Sequence, residues 1–323
     1  MPRKKKAVEE PPSLLDITAK LRSGPYVPAL REALKAWKAA DCKGITDTTR
    51  TLLNFWFRTD HKLKTGRPFK YHASQQEAIE TLIYVWEVER IRSRKDLLEK
   101  YAQNVPDLRL PLDDGFARYC TKMATGSGKT KVMALAIAWQ YFNARREQDE
   151  IAKNYAKTFL LIAPNVIVLE RLKADFANGK IFREDPIRPK ELDIFWDFDC
   201  VMRGEGEWAY SEGVLFLTNI QQLYERPDRS DEDEPEAMTA ILGPKPPANK
   251  LETSNFVERI ATRKGNLLVI NDEAHQGAIF PWTISDYPLK QAILDGIVKR
   301  PMKGLRRSRR ANRSMPASNT KAT

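Results

Sequence analysis

The chain has 323 residues, of which 42% are hydrophobic, enough for the packed core of one large or two modest domains. No apolar run approaches the ~20 residues needed to span a bilayer, and the basic start Met1-Pro-Arg-Lys-Lys-Lys6 leads into no apolar stretch, which argues against a membrane span and a secretory leader and for the cytoplasm. The net charge of +11 invites a nucleic-acid partner, yet residues 299–323 hold nine basic side chains and no acid, so the rest of the chain carries only +2. That block (297–323) is expected to be a disordered basic tail, able to bind DNA or RNA without sequence preference through counterion release. Cys42, Cys120 and Cys200 lie far apart and predict neither a disulfide framework nor a metal site. His61, His72 and His275 also form no cluster, and His61 and His72 are expected at the surface or at helix starts.

In chain order, residues 1–12 are charged and Pro-rich and are expected to be mobile. Leu14–Ala40 carries helical patterning, with Pro28 suited to a first turn. Leu52, Leu53, Phe55, Trp56 and Phe57 predict a helix over Thr46–Phe57 that packs on the core. Residues 1–60 therefore read as a helical extension. Ser74–Arg92 predicts an amphipathic helix, with Ala78, Ile79, Leu82, Ile83 and Val85 near i, i+3, i+4 spacing. Arg94–Ala102 predicts a further short helix. Four buried strands follow, at about 117–123, 158–163, 214–219 and 267–271, with helical runs between the first three. Strands alternating with helices imply an α/β fold whose parallel sheet is flanked by helices and joined by right-handed crossovers. Residues 227–249 are acidic and Pro-rich and predict a solvated surface insertion. Mimicry of a phosphate backbone is the alternative for this stretch.

The strand at 117–123 runs into Met123-Ala-Thr-Gly-Ser-Gly-Lys-Thr130, which opens a helical run. A glycine loop between strand and helix turns backbone N–H groups inward, and the helix adds its positive dipole end. Gly126, Ser127 and Gly128 would cradle phosphates, Lys129 would reach the β- and γ-phosphates, and Thr130 would place its hydroxyl on Mg²⁺. Met123 stands where the general pattern has its first glycine. Downstream, Leu267-Leu-Val-Ile-Asn-Asp-Glu-Ala-His275 reads as a fully buried strand ending in carboxylates, where open α/β sheets bind ligands. Asp272 would hold the metal, and Glu273 would orient or deprotonate the attacking water.

These two segments resemble motifs I and II of the DEAD/DEAH superfamily-two helicases, more narrowly those of the ATPase subunit of type III restriction enzymes, with Asp272-Glu-Ala-His275 a full match. The resemblance implies a RecA-like P-loop domain over 61–296, with ATP and Mg²⁺ as cofactors and duplex DNA as partner. His275 would couple hydrolysis to DNA contact. Tyr71-His-Ala-Ser-Gln-Gln-Glu-Ala-Ile79 resembles the family's Q motif, which assigns the adenine edge to Gln75, with Gln76 as the rival. Phe159–Asn165 and Val214–Asn219 resemble motifs Ia and Ib, which would bring Pro164, Asn165, Thr218 and Asn219 to the nucleic-acid backbone. The alternative at all four is ordinary turn residues at strand ends.

The pattern then departs from the family. No motif III, V or VI follows His275, and 48 residues are too few for another α/β domain of ~100 residues or more. An internal deletion near Gln276 and a shifted frame from about Leu305 are expected, against the alternative of a natural short homologue. Three functions therefore stand side by side. One is a DNA-dependent ATPase of the restriction type. Another is a nucleotide- and DNA-binding module with little turnover. The last is an interaction protein whose partner chain supplies the second lobe or a modification or nuclease subunit.

Overall fold

In a computed structural model, the structure describes residues 26–102, 117–202, 209–219, 259–272 and 282–298. The segments expected to be mobile or solvated (1–12, 227–249 and nearly all of 297–323) lie outside the described residues. The fold is α/β, with parallel strands flanked by helices.

Helices α1 (Val27–Ala39) and α2 (Asp47–Arg58) come first. Pro28 sits in the first turn of α1, as its fixed φ and missing N–H favour. Thr46 caps α2 by accepting from the Thr49 N–H. A short antiparallel pair, β1 (His61–Lys62) and β2 (Pro68–Phe69), leads to α3 (Ala73–Ile83). His72 is the residue before the first turn of α3, and the ring of His61 packs edge-on against Phe55. The predicted helix over 74–92 does not run through as one α-helix, because Tyr84–Val88 forms a π-turn. The wider turn presents Trp86 to Trp139, ring centroids 5.5 Å apart, and buries Glu87. Helix α4 (Arg94–Tyr101) follows, capped by Ser93.

Among the described residues, the parallel strands expected from the sequence form two ladders. β3 (Cys120–Met123) pairs with β8 (Thr283–Tyr287). β4 (Ala156–Ala163), β5 (Phe198–Met202), β6 (Gly213–Asn219) and β7 (Asn266–Asn271) form a four-stranded sheet in the order β5-β6-β4-β7. β5 and β8 escape the sequence reading because each is only five residues long and lacks a continuous apolar run. β7 was expected to be fully buried, and it is not. Among the described residues it stands at the sheet edge, and Leu267 and Val269 are 44% and 49% exposed. Only the other face of β7, with Leu268 and Ile270, packs on the core.

Helix α5 (Lys129–Arg146) is buried nearly all round from Val132 to Ala144 and forms the axis of the core. Trp139 and Phe142 join one cluster with Leu30 and Trp37 of α1, Leu52 and Trp56 of α2, and Phe159 and Leu161 of β4. The N-terminal helices and the glycine-loop helix thus share one hydrophobic core. After α6 (Asp149–Ala152) and β4, α7 (Val166–Phe176) packs on β4 and β6, and α8 (Lys180–Glu184) packs on α7. Helix α9 (Leu289–Leu294) follows β8. Among the described residues no helix is long and apolar enough to cross a membrane.

Candidate functional site

The glycine loop starts where β3 ends. The Ala124 N–H still donates to Tyr287 O at 3.0 Å, extending the ladder with β8 by one residue. The chain then turns: the Ser127 N–H and Oγ both donate to Ala124 O, at 3.1 and 2.7 Å. Gly126 and Gly128 hold φ of +84° and +83°, the left-handed region that costs a residue with Cβ. Gly128 is also the residue before the first turn of α5, so the first-turn N–H groups and the positive dipole end face the loop. Gly126 is exposed, while Lys129 and Thr130 are half-buried. An open cavity of about 310 Å³ lies at the shared end of β3 and β8, lined in part by Ala124, Thr125, Tyr287 and Leu289.

Gln75 braces this loop. It is 2% exposed, and its carboxamide is engaged at both ends. Oε1 accepts from the His72 N–H at 2.9 Å, while Nε2 donates to Ser127 O at 3.0 Å and to Gly128 O at 3.4 Å. A Cβ on Gly128 would stand 2.2 Å from Gln75 Nε2, so the brace requires glycine there a second time over. Gln76, the rival for adenine, instead donates to Glu80 Oε1 at 2.7 Å. Adenine reading by Gln75 therefore calls for the carboxamide to re-pair.

Asp272 follows β7 directly. Its N–H donates to Ile162 O at 3.0 Å, which sets it at the same sheet end as Ala163 and the start of α7. It is 2% exposed, and Arg171 of α7 donates to its Oδ2 at 3.4 Å. Arg171 is itself 52% exposed. Two positions past Lys129, Lys131 forms an ion pair with Asp185 and lies 5.1 Å over the Phe69 ring. Burial raises the Asp175 carboxyl above its ordinary value, opposed by the positive charges of Lys131, Lys180 and Arg171. Asp175 thus senses charges from the first turn of α5 and from the arginine that holds Asp272. Among the described residues, the ladders carrying the loop and Asp272 are not hydrogen-bonded to each other.

Other sequence-predicted positions fall out differently. Asn165 caps α7, its Oδ1 accepting from the Val168 N–H at 2.9 Å, and Pro164 precedes it in the β4–α7 turn. Thr218 and Asn219 end β6 and are 0% and 2% exposed, so neither side chain meets a phosphate unless its cover moves. Glu273 and His275 lie outside the described residues. Arg171, Lys131 and Asp185 were missed in the sequence, because a charged residue on a helix face ordinarily reads as solvated.

No group of three or more His, Cys, Asp or Glu forms a metal cluster among the described residues. A divalent cation beside Asp272 would lean on nucleotide phosphates and water for most of its oxygens, as Mg²⁺ commonly does. The left-handed glycine turn, the helix start and a buried carboxylate at a strand end fit a nucleotide with its metal.

The family model of the type III restriction enzyme res subunit matches residues 68–287, from β2 to the end of β8. The chain belongs to that family. Its domain is a superfamily-two helicase-like ATPase domain related to restriction enzymes, consistent with the N-terminal RecA-like domain. The comparisons with curated proteins and with solved structures found no match.

Proposed function

We propose that this chain binds ATP with Mg²⁺ and acts in the cytoplasm as a DNA-dependent ATPase of the restriction-translocase type, through a domain spanning residues 61–296. The observation that carries this reading is the left-handed Gly126–Gly128 turn opening α5 in a chain of the res family. The loop from Gly126 to Thr130 would hold the phosphates. Lys129 would neutralise the outer ones, and Thr130 and Asp272 would hold the metal. The metal, when bound, supplies charge neutralisation at the transferring phosphoryl group. Glu273 would orient the attacking water, and His275 would couple hydrolysis to DNA. Pro164 and Asn165, at the exposed start of α7, are better placed for the DNA backbone than the buried Thr218 and Asn219.

The test is binding of a fluorescent ATP analogue and phosphate release with and without duplex DNA, in wild type and Lys129→Ala. Lys129→Ala is expected to lower turnover on the order of 10²-fold or more, with an unchanged melting temperature. Wild-type protein that retains no adenine nucleotide at millimolar concentration would end the proposal. Turnover that survives in Lys129→Ala would remove that lysine from it. Binding without DNA-stimulated turnover would leave a nucleotide-binding module.

A further inference from the structure

The contact between Arg171 and Asp272 joins two unlike groups. Asp272 is buried to 2% exposure at the end of β7, whereas Arg171 is 52% exposed on a surface helix. A buried carboxylate is costly without a positive partner or good donors. The guanidinium at 3.4 Å helps to meet that demand. A long side chain on a half-exposed stem can also swing outward without disturbing the core. Arg171 lies six residues past Asn165, on the helix whose first turn leaves Val166 and Ile167 52% and 84% exposed. Asp175, one helical turn further on, senses Arg171 together with Lys131 from the glycine-loop helix. The guanidinium therefore stands between the buried carboxylate and solvent.

We propose that Arg171 is a positioning residue that competes with a divalent cation for Asp272. An incoming phosphate oxyanion would draw the guanidinium away and release the carboxylate to the metal. Arginine forks match phosphate as well as carboxylate, so the exchange replaces one charge-assisted bond by another. The oxyanion has two candidate sources, a nucleic-acid phosphodiester and the terminal phosphate of the nucleotide. The inference rests on the proposed nucleotide site and adds an ordering to it: phosphate first, then full metal affinity.

The experiment is Mn²⁺ binding followed by electron paramagnetic resonance, with ADP present, in wild type, Arg171→Met and Arg171→Lys. Arg171→Met is expected to bind Mn²⁺ on the order of fivefold tighter than wild type, because a competing cation is gone. Arg171→Lys keeps the charge and is expected to remain close to wild type, and circular dichroism checks that both variants fold. Duplex DNA, or a non-hydrolysable triphosphate in place of ADP, should raise wild-type affinity toward the Arg171→Met value. Whichever of the two closes the gap between wild type and Arg171→Met identifies the source; the triphosphate adds oxygens of its own to the ion in every form, so it is judged by that ratio. Equal Mn²⁺ affinity in wild type and Arg171→Met, or a wild-type affinity that no phosphate compound moves, would overturn the inference. Absence of Mn²⁺·ADP binding in every form would instead strike the nucleotide site itself.

Discussion

The two ends of α5 bury polar groups in opposite ways. At its C-terminal half, Glu87 of the π-turn accepts from the Thr46 N–H, from Thr49 Oγ1 at 2.9 Å and from Trp139 Nε1 at 3.1 Å. Asn143 ties the same group together, donating to Thr49 Oγ1 at 3.0 Å and to Trp139 O at 2.8 Å. These donors are neutral and short, and the Thr46 N–H and the Trp139 indole are fixed by backbone and ring. About 21 Å away along the helix, Lys131 of the first turn pairs with Asp185, and Asp272 is likewise held by a long charged side chain, Arg171 of α7. Fixed neutral donors make a closure that lasts as long as the fold. Flexible ions make one that an incoming ion can replace. One end of α5 thus anchors in a static network, whereas Lys131 at its other end and Arg171 of α7 sit in flexible ion pairs.

That contrast is open to attack at both ends. The largest effect is expected from Glu87→Ala. It strands the Thr46, Thr49 and Trp139 donors in a buried site, and should cost about 2–4 kcal/mol in urea unfolding. A loss under ~1 kcal/mol would show that the network is not the anchor. Next comes Gly128→Ala, which meets both the left-handed backbone and the Gln75 carboxamide. It should cost about 1–2 kcal/mol and weaken nucleotide binding. Gly126→Ala meets only Val298 Cγ2 at an ordinary 3.7 Å and should cost about 1 kcal/mol or less in the same assay. Equal penalties at the two glycines would remove Gln75 as the brace.

The smallest effect is one of pH. Burial pushes the Glu87 carboxyl above its ordinary 4.5, against hydrogen bonds from Thr46, Thr49, Trp139 and Tyr155 that pull it down. The protonated form is therefore favoured in the fold. The associated stability is fully present below 4.5 and is lost as pH rises through the raised folded value. Glu87→Gln keeps the neutral shape and removes the titration. Wild type should lose stability relative to Glu87→Gln as pH rises above that point. The opposite sign would mean that the hydrogen bonds outweigh burial.

Much of this could be read from one dimension. The helices at Val27–Ala39, Asp47–Arg58 and Arg94–Tyr101 follow from apolar spacing and caps, and β4 and β6 from unbroken apolar runs. The glycine loop is legible because its φ values and helix start demand particular residues in consecutive order. The π-turn was invisible, because it depends on Trp86 and Glu87 finding partners about fifty residues later. The edge position of β7 was invisible too. Leu267-Leu-Val-Ile270 is apolar on both faces, and only strand order decides which face stays open.

Local chemistry alone therefore specified the α/β class, the glycine loop and the acidic strand end, since each is a short pattern whose constraint lies within a few neighbouring residues. Folding in three dimensions decided which carboxylate is closed and which is exchangeable. Glu87 and Asp272 are both acids in the chain, and only long-range neighbours, neutral donors for one and a half-exposed arginine for the other, set them apart.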